Sequence, residues 1–576
     1  MSQEVEYQTQ RLDHLGIVAG VCREAGIAEW LDRRAGENRR SVSVGTAVVA
    51  MILNGLGFSN RQLYLVPQYF ENKPVEHLLG EGITADMLND DCLGRTLDWI
   101  YEHDPTKLFA GLALQARHRF DIKAEQLHID TTSFSVNGEY LPKETRSEEP
   151  MEEEKIGKES IEKEKTSKEP IEEEAIPIAI TYGYSRDHRA DLKQWMLGLA
   201  TTHEGDIPIF LRPLDGNSSD KESISAIVTQ VMTQLRETLP PEEQEPLAIF
   251  DSGGYSQANM KRYNEAKIKW ISRVPETSTD AKRAIQEETA DWQELSDGSG
   301  QYRVCMMELV QGKERWVIVR TKAGEQAARQ HMEKTVKKAK AQWEKKLWHL
   351  SKQEFACQDD AELAWKQAVK GKPSFLAVSC IYQEEGRYRH KGRPKPDAAP
   401  DHRIWHVVGT LLIDTPEVEV QIRTKASFIL ATNVIEEQKL SPEQVYVKYK
   451  EQGGVERGFR FLKDPLFLAS SVFVKKPERV MALSFIMVLC LLVYRVAEHL
   501  LRSQLAATEQ TVPNQVNKPT DRPTMRWIFQ CFEGIDLLHI RAGVREQMLV
   551  LGLQPLHRKI LLLLGPAFYK IYCFSP

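Results

Sequence analysis

The apolar run from Val480 to Tyr494 constrains the fold of this chain more than any other feature. It has 15 residues and no charge, whereas a helix needs roughly 20 apolar residues to cross a bilayer. A helix that is apolar on every side must instead be covered by protein all round. We therefore expect a buried core helix and no membrane span. At 576 residues and 41% apolar, the chain has enough core for roughly three or four domains.

The cysteines and the N-terminal residues indicate the compartment. Eight cysteines are scattered along the chain without a CxxC pair, which favours reduced thiols over zinc ligands or a disulfide framework. The first residues, MSQEVEYQTQRLDHLG, have no basic region followed by an apolar stretch, so we expect no secretory signal. Together these features predict a cytoplasmic protein.

The charge of the chain is concentrated in one segment. The formal net charge is −6, and 143–174 alone contains 13 acids and 7 bases, so the remainder sums to zero. Overall charge therefore neither favours nor excludes nucleic acid, and local clusters must decide. The segment is low in complexity and is predicted to be a charged loop that joins two strands of one sheet.

Residues 1–122 show helical periodicity. Val44 to Leu53 is apolar, a glycine-containing break follows, and Ser59 is suited to cap a second helix from Asn60. Helix, turn and helix is the outline of a DNA-reading motif and also of ordinary helical packing or dimerisation. Both interpretations stay open.

Two aspartates follow or interrupt strand-like runs. Asp130 lies within QLHIDTTSFSV, before a hairpin signal at Asn137-Gly138, and Asp251 closes the apolar run that ends at Phe250 and precedes two glycines. Carboxylates at neighbouring strand ends face the edge where α/β sheets bind ligands. The alternative for Asp130 is a structural carboxylate that neighbouring threonine hydroxyls satisfy. Two close carboxylates repel each other unless a cation lies between them.

The stretch from 446 to 468, YVKYKEQGGVERGFRFLKDPLFL, places four functional side chains at helical spacing. At about 100° per residue, Tyr449, Gln452, Glu456 and Lys463 share one face. Two glycines inside the helix cost about 1 kcal/mol each relative to alanine. The helix is therefore also compatible with a start near Val455, which would leave the first two residues on a preceding turn.

This spacing resembles the Tyr-Arg-Glu-Lys signature of insertion-sequence DDE transposases, with Gln452 where the signature has arginine. The motifs HIDTTSFS, GNSSD, FDSGGYS and LATN occur in the same order as in that family, and the similarity covers about 125–500. It implies an α/β fold with a ribonuclease-H-like catalytic domain, interrupted by a β-rich insertion domain and preceded by a helical N-terminal domain. It also implies cut-and-paste transposition in a bacterial or archaeal cytosol.

The domain boundaries that we expect follow from this resemblance and from shifts in composition. The ranges are 1–122 for the helical N-terminal domain, 123–275 and 426–502 for the two parts of the catalytic domain, 276–425 for the insertion domain, 503–525 for a linker and 526–576 for a small helical C-terminal unit.

The resemblance assigns roles to particular residues. Asp130, Asp251 and Glu456 match the carboxylates that hold two Mg²⁺ or Mn²⁺ ions and catalyse phosphodiester hydrolysis and strand transfer. The residues expected to contact DNA are Tyr449, Gln452, Arg460, Lys463, Arg273, Arg393 and Lys395. The implied partners are the terminal inverted repeats of the element, target DNA and a second copy of the chain on paired ends. An amide at Gln452 lacks the charged bidentate grip of arginine on phosphate.

Two basic stretches lie in the expected insertion domain. Residues 312–372 carry 15 Lys and Arg against 8 acids, and 387–395 carry five bases and no acid. For the first stretch, a solvated helix and a phosphate contact are both open. Residues 391–395, KGRPK, resemble the minor-groove core of an AT-hook, and a basic surface loop is the alternative.

Three rival functions remain open at this point. One is a decayed or domesticated transposase that only binds DNA, and another is a ribonuclease-H-like nuclease without strand transfer. The third is a helical scaffold with a charged interaction loop, which would leave the settings of the three carboxylates unexplained.

Overall fold

The structure is a computed structural model that describes residues 5–36, 40–59, 63–136, 140, 176–185, 189–238, 245–287, 291–389, 399–467, 476–542 and 545–573. Several predictions fall outside these ranges: the hairpin turn at Asn137-Gly138, the charged loop at 143–174, and the basic residues Arg393 and Lys395 with their AT-hook-like segment.

The chain divides into two compact units. The first comprises Met1–Ile271 and Lys448–Pro576, and the second is Ser272–Val447. The second unit therefore enters the sequence as a continuous insertion between the two segments of the first. We expected an insertion at 276–425.

The N-terminal segment of the first unit starts with a strand, continues with helices and then enters a sheet. Its helices are α1 (Leu15–Ala25), α2 (Ile27–Ala35), α3 (Val44–Leu56), α4 (Val66–Phe70), α5 (Val75–Leu79), α6 (Asp90–Glu102), α7 (Pro105–Arg119), α8 (Asp220–Thr238) and α9 (Gln257–Glu265). Its strands are β1 (Val5–Arg11), β2 (Gln126–Val136), β3 (Lys193–Thr202), β4 (Pro208–Leu214), β5 (Leu247–Phe250) and β6 (Lys269–Arg273), the last ending two residues inside the second unit.

A mixed sheet in the first unit positions the candidate site. Its strands follow the order β4-β3-β2-β5-β6. β3 is antiparallel to both β2 and β4, whereas β2 and β5 are parallel, with Ile129 opposite Phe250. Asp130 and Asp251 therefore follow at the same end of two neighbouring strands. This architecture confirms the α/β class.

The second unit contains strands and long helices. They are α10 (Thr279–Gln286), α11 (Lys322–Ser351), α12 (Gln358–Ala368), α13 (Thr415–Ala426), β7 (Gln293–Glu294), β8 (Gly300–Leu309), β9 (Gly312–Thr321), β10 (Leu376–Arg387), β11 (His402–Ile413) and β12 (Ser427–Thr432). Strands β12, β9, β8 and β7 are neighbours in that order, and β10 and β11 form a separate antiparallel pair. Helix α14 (Pro442–Lys450) crosses the boundary back into the first unit.

The C-terminal segment of the first unit contains α15 (Gly453–Leu462), α16 (Pro477–Ala507), β13 (Val512–Pro513), β14 (Pro519–Thr520), α17 (Met525–Cys531), β15 (Asp536–Ala542), β16 (Arg545–Leu551), α18 (Pro555–Leu564) and α19 (Pro566–Tyr572). Helix α16 contains the apolar run. It is long and apolar enough to cross a membrane, yet 94% of its most apolar window is buried inside the protein. It packs against α1, α3, α6, α7, α18 and β4. The prediction of a core helix is confirmed.

Two local predictions near the C-terminal end differ from the structure. The C-terminal residues include strands β15 and β16, which form a sheet with β1, so the prediction of a small helical unit at 526–576 is wrong. The expected linker carries the end of α16 and the short pair β13 and β14. Strand β1 and its partner β15 are more than 500 residues apart in sequence. Local periodicity does not indicate which distant strand a segment pairs with.

The expected second helix of a helix-turn-helix also differs. Beyond the undescribed residues 60–62, the chain forms a 3₁₀ turn at Leu63–Leu65 and then only the five-residue α4. A proline in the first turn fixes where α4 begins. The strand expected directly after the charged loop, in the segment AIPIAITYGYS at 175–185, is reduced within the described residues to a single bridge between Thr181 and Gln194.

Candidate active site

The two aspartates follow the last paired residues of two adjacent parallel strands, since β2 and β5 pair up to Ile129 and Phe250. Asp130 is partly exposed on β2, between the buried Ile129 and Thr131, and one of its carboxylate oxygens accepts the backbone N–H of Thr131 at 2.7 Å. Asp251 is exposed and caps the 3₁₀ turn after β5 by accepting the N–H of Ser252 at 2.6 Å. Neighbouring strands are about 4.8 Å apart, so the two carboxylates face the same edge at close range.

Tyr449 links helix α14 to this pair. Its hydroxyl donates a hydrogen bond to Oδ1 of Asp251 at 3.1 Å. The sequence analysis assigned Tyr449 to DNA and did not foresee this bond, because 198 residues separate the two partners. The contact restrains the carboxylate in one orientation at the end of β5.

The predicted single helix is broken in two. Helix α14 ends at Lys450 and α15 starts at Gly453, close to the alternative start near Val455. Gln452 stands at the N-terminal cap of α15, and only 8% of it is exposed. Tyr449 and Glu456 therefore lie on two different helices.

The N-terminus of α15 is held by Asp206 from the β3–β4 turn. A Cβ on Gly454 would lie 2.0 Å from Oδ1 of Asp206, so only glycine permits this approach. The same carboxylate accepts a hydrogen bond from Arg457 at 2.7 Å and lies 3.8 Å from the guanidinium of Arg495. A carboxylate at a helix N-terminus also interacts favourably with the helix dipole.

Glu456 is exposed on α15, which packs against β2 and β3. At the other end of α15, Nζ of Lys463 lies 5.6 Å from the ring centroid of Phe134. Phe134 and Asp130 share one face of β2, because side chains alternate with a period of two. Helix α15 therefore covers the face of the sheet that carries Asp130.

The other residues that we expected to contact DNA lie in different parts of the chain. Arg460 is exposed on α15. Arg273 belongs to the second unit, where it forms an ion pair with Glu276 at 2.5 Å and lies 5.3 Å from the ring of Phe428. Arg393 and Lys395 lie outside the described residues.

His128 is a buried residue that the sequence analysis missed. It lies two residues before Asp130 on the same face of β2, is 0% exposed, and neither ring nitrogen has a hydrogen-bond partner among the described residues. Burial, and to a smaller extent the nearby His203, lowers the pKa of His128 to about 4. A histidine between apolar residues in a strand gives no local sign of this position.

A polar cleft also escaped the sequence analysis. It has a volume of about 620 Å³, and its lining includes His203, Asp206, Lys450, Arg457 and Arg502. These residues come from the β3–β4 turn, the α14–α15 region and α16. No local motif joins them, because only the tertiary fold brings them together.

The donor set at the strand ends fits a hard divalent cation. Mg²⁺ is commonly bound by one or two carboxylates together with water and substrate phosphate oxygens, and Asp130 and Asp251 supply such a pair. Within the described part of the chain, no three histidine, cysteine, aspartate or glutamate side chains stand close enough to hold one ion. Glu456 is thus not grouped with the two aspartates in this structure.

Comparison with known proteins identifies two regions. Residues 160–493, more than half of the chain, match the family described as "Transposase DDE domain", a span that includes Asp251 and Glu456 and begins after Asp130. Residues 7–114 match a domain of unknown function, DUF4277.

Matches to whole proteins are weaker. No curated protein sequence matches the chain. Among solved structures, a chain from the cryo-EM structure of a piggyBac transposase synaptic complex with hairpin DNA aligns at 10% identity and a TM-score of 0.35, covering 92% of this chain and 82% of that one. That TM-score is too low to establish a shared fold.

Proposed function

The chain belongs to the transposase DDE domain family, and on that premise we propose that it moves an insertion sequence by cut-and-paste transposition. It cuts DNA at the ends of the element by metal-dependent phosphodiester hydrolysis and joins the freed 3′-hydroxyl ends to target DNA. The observation that carries the proposal is the placement of Asp130 and Asp251 side by side where the parallel pairing of β2 and β5 ends. Both carboxylates remain at least partly exposed there, although each also accepts a backbone N–H.

In this proposal Asp130 and Asp251 hold Mg²⁺ or Mn²⁺, and Glu456 is the third carboxylate. When bound, two such ions activate a water or a 3′-hydroxyl and stabilise the departing oxygen of an in-line displacement. The hydroxyl of Tyr449 keeps the Asp251 carboxylate aimed at the site through its hydrogen bond of 3.1 Å. The packing of α15 on the strand that carries Asp130 supports the assignment of Glu456.

We also propose a ribonuclease-H-like catalytic core with an inserted domain. The mixed sheet with two parallel strands at its centre supports the core, and the continuous second unit at Ser272–Val447 supports the insertion. Element ends and target DNA are the proposed substrates, a homodimer on paired ends is the proposed assembly, and the cytosol is the proposed compartment. Lys463 and Arg460 on α15 are the proposed phosphate contacts nearest the carboxylates.

The test is cleavage of a DNA fragment that carries the end of the flanking element, in Mg²⁺ or Mn²⁺. Wild type should nick the end, whereas Asp130→Asn, Asp251→Asn and Glu456→Gln should each abolish nicking and keep DNA binding. Glu265→Gln is a matched control, because this exposed glutamate on α9 pairs only with Lys261 at 3.9 Å among the described residues.

The outcomes separate the rival functions. Wild type that binds the fragment but never cuts it would indicate a decayed DNA-binding protein. Cutting without joined products in the presence of target DNA would indicate a nuclease. Loss of nicking in the control variant would contradict the assignment of the three carboxylates.

The departure at Gln452 has its own test. Gln452→Arg restores the charged residue of the family signature and is expected to raise the cleavage rate. Only 8% of the native Gln452 is exposed, so the arginine side chain must turn outward to reach phosphate. An unchanged rate for Gln452→Arg would show that this position does not hold phosphate.

A further inference from the structure

Helix α11 of the second unit has one face that is fixed by packing. Ala328 and Met332 are buried, and Val336, Ala339 and Trp343 are partly buried, in a cluster with Phe375, Leu376, Ile422 and Ala426 from the β10 region and α13. These α11 residues follow the helical repeat, so they define the direction in which the helix faces its own unit. The opposite direction points away from that core.

The opposite face is rich in exposed lysines, and two acids, Glu333 and Glu344, flank it on the side of Lys337. At about 100° per residue, three exposed lysines project within about 60° of the exposed Lys334. We call these four residues the lysine stripe: Lys334, Lys337, Lys338 and Lys345. The three acids of α11, namely Glu325, Glu333 and Glu344, project at least about 80° away from Lys334 by the same helical geometry.

The stripe lysines differ in their partners from three other cations of the helix. Lys340 pairs with Glu344 at 3.7 Å, Lys346 donates to the carbonyl of Ala368, and Arg329 pairs with Glu419 at 2.7 Å. Among the described residues, no carboxylate forms an ion pair with any stripe lysine. Four uncompensated ammonium groups on one exposed face favour an anionic partner.

We propose that the lysine stripe binds the phosphate backbone of duplex DNA, an inference that rests on the proposed function and extends it to the second unit. From Lys334 to Lys345 the stripe covers about 16 Å at 1.5 Å per residue, roughly half a helical turn of B-DNA. A straight row of positive charge on this scale matches a backbone that carries one negative charge per about 1.7 Å.

The residue type defines what the stripe recognises. Lysine is a flexible point charge without the planar fork of arginine, and phosphate contacts position a duplex without reading its sequence. The stripe therefore supplies sequence-independent affinity. It holds DNA that flanks the reacting phosphodiester and leaves recognition of the element end to other residues.

The experiment measures how DNA binding by the full-length protein depends on salt, with EDTA present so that no cleavage occurs. The probe is a fluorescein-labelled duplex several helical turns long and unrelated to the element. Replacing all four stripe lysines by glutamine should lower the magnitude of the negative slope of log K against log salt by about 3.6, since each phosphate contact contributes about 0.9. Each single substitution should lower that magnitude by about 0.9.

Lys340→Gln is the matched control, because it removes an exposed lysine from the same helix that already has a carboxylate partner. Its slope should equal that of wild type. The substituted lysines are exposed, so the thermal midpoint of every variant should stay unchanged.

Four results would overturn the proposal, and they are distinguishable from one another. An unchanged slope in the fourfold variant would show that the stripe does not bind duplex DNA and would leave the proposed function intact. Equal loss in Lys340→Gln shows a general charge effect. If wild type binds no duplex at any salt concentration, both DNA binding by the stripe and the proposed function are contradicted. Binding of poly-glutamate that is lost in the fourfold variant, with duplex binding retained at the wild-type slope, would assign the stripe to an acidic protein segment.

Discussion

Gly454 is the position where one added methyl group is expected to disturb the candidate site most. Its Cβ would lie 2.0 Å from Oδ1 and 2.6 Å from Cγ of Asp206. Asp206 has little freedom to withdraw, because its backbone is in the left-handed region at φ 53 and its side chain is 15% exposed. In Gly454→Ala the carboxylate or helix α15 must move.

The magnitude follows from three contributions. Alanine in a helix is more favourable than glycine by up to about 1 kcal/mol. Overpacking costs about 1–3 kcal/mol. The charged hydrogen bond from Arg457 contributes roughly 1 kcal/mol after discounting for solvent, since that arginine is 55% exposed. We expect a net destabilisation of about 1–3 kcal/mol.

Gly453→Ala is the control, because its Cβ would meet only Nη1 of Arg457 at 3.4 Å. It should be neutral or slightly stabilising, since neither glycine has a positive φ. The assays are the thermal midpoint, hydrogen exchange of the α15 amides and nicking of element ends. Gly454→Ala should lower the midpoint, speed exchange in α15 and reduce nicking through displacement of Glu456. Equal behaviour of the two alanine variants would refute the role of Asp206 at this helix end.

Other predictions concern single side chains. Tyr449→Phe removes the donor to Asp251, a bond of about 1.5 kcal/mol, so nicking should fall about tenfold with unchanged DNA affinity; a weaker affinity at an unchanged rate would restore its assignment to DNA. Burial lowers the pKa of His14 to about 4. Below the ordinary histidine pKa of about 6.5, His14 therefore takes up a proton in the unfolded state and stays neutral in the folded state. Stability should therefore be complete above about pH 6.5 and fall by about 2 kcal/mol down to pH 5, and urea titrations should show a smaller fall in His14→Gln. Thiol labelling of the native protein should modify the exposed Cys357 and spare Cys22, whose pKa burial raises to about 12, until the chain unfolds; early labelling of Cys22 would contradict the packing of α1.

Features that depend on a short run of residues could be predicted from the sequence. The uncharged run in α16 required a covered helix, because no solvent-exposed arrangement of those side chains is stable. The strands that carry Asp130 and Asp251 followed from their period and their flanking residues, and the glycines before Val455 indicated the break between α14 and α15. Each of these depends on neighbours a few positions apart, and the same short patterns supported the resemblance to transposases.

Contacts between distant segments were decided only by the tertiary structure. Three contacts each join residues that are more than a hundred positions apart: the pairing of β2 with β5, the hydrogen bond from Tyr449 to Asp251, and the packing of Asp206 against Gly454. The pairing of β1 with β15 joins the two ends of the chain. Local periodicity defines which face of an element is apolar, but the partner of that face depends on how all the elements pack at once. The distribution of charge around α11 was decided in the same way, because the buried face of the helix determines which lysines point to solvent.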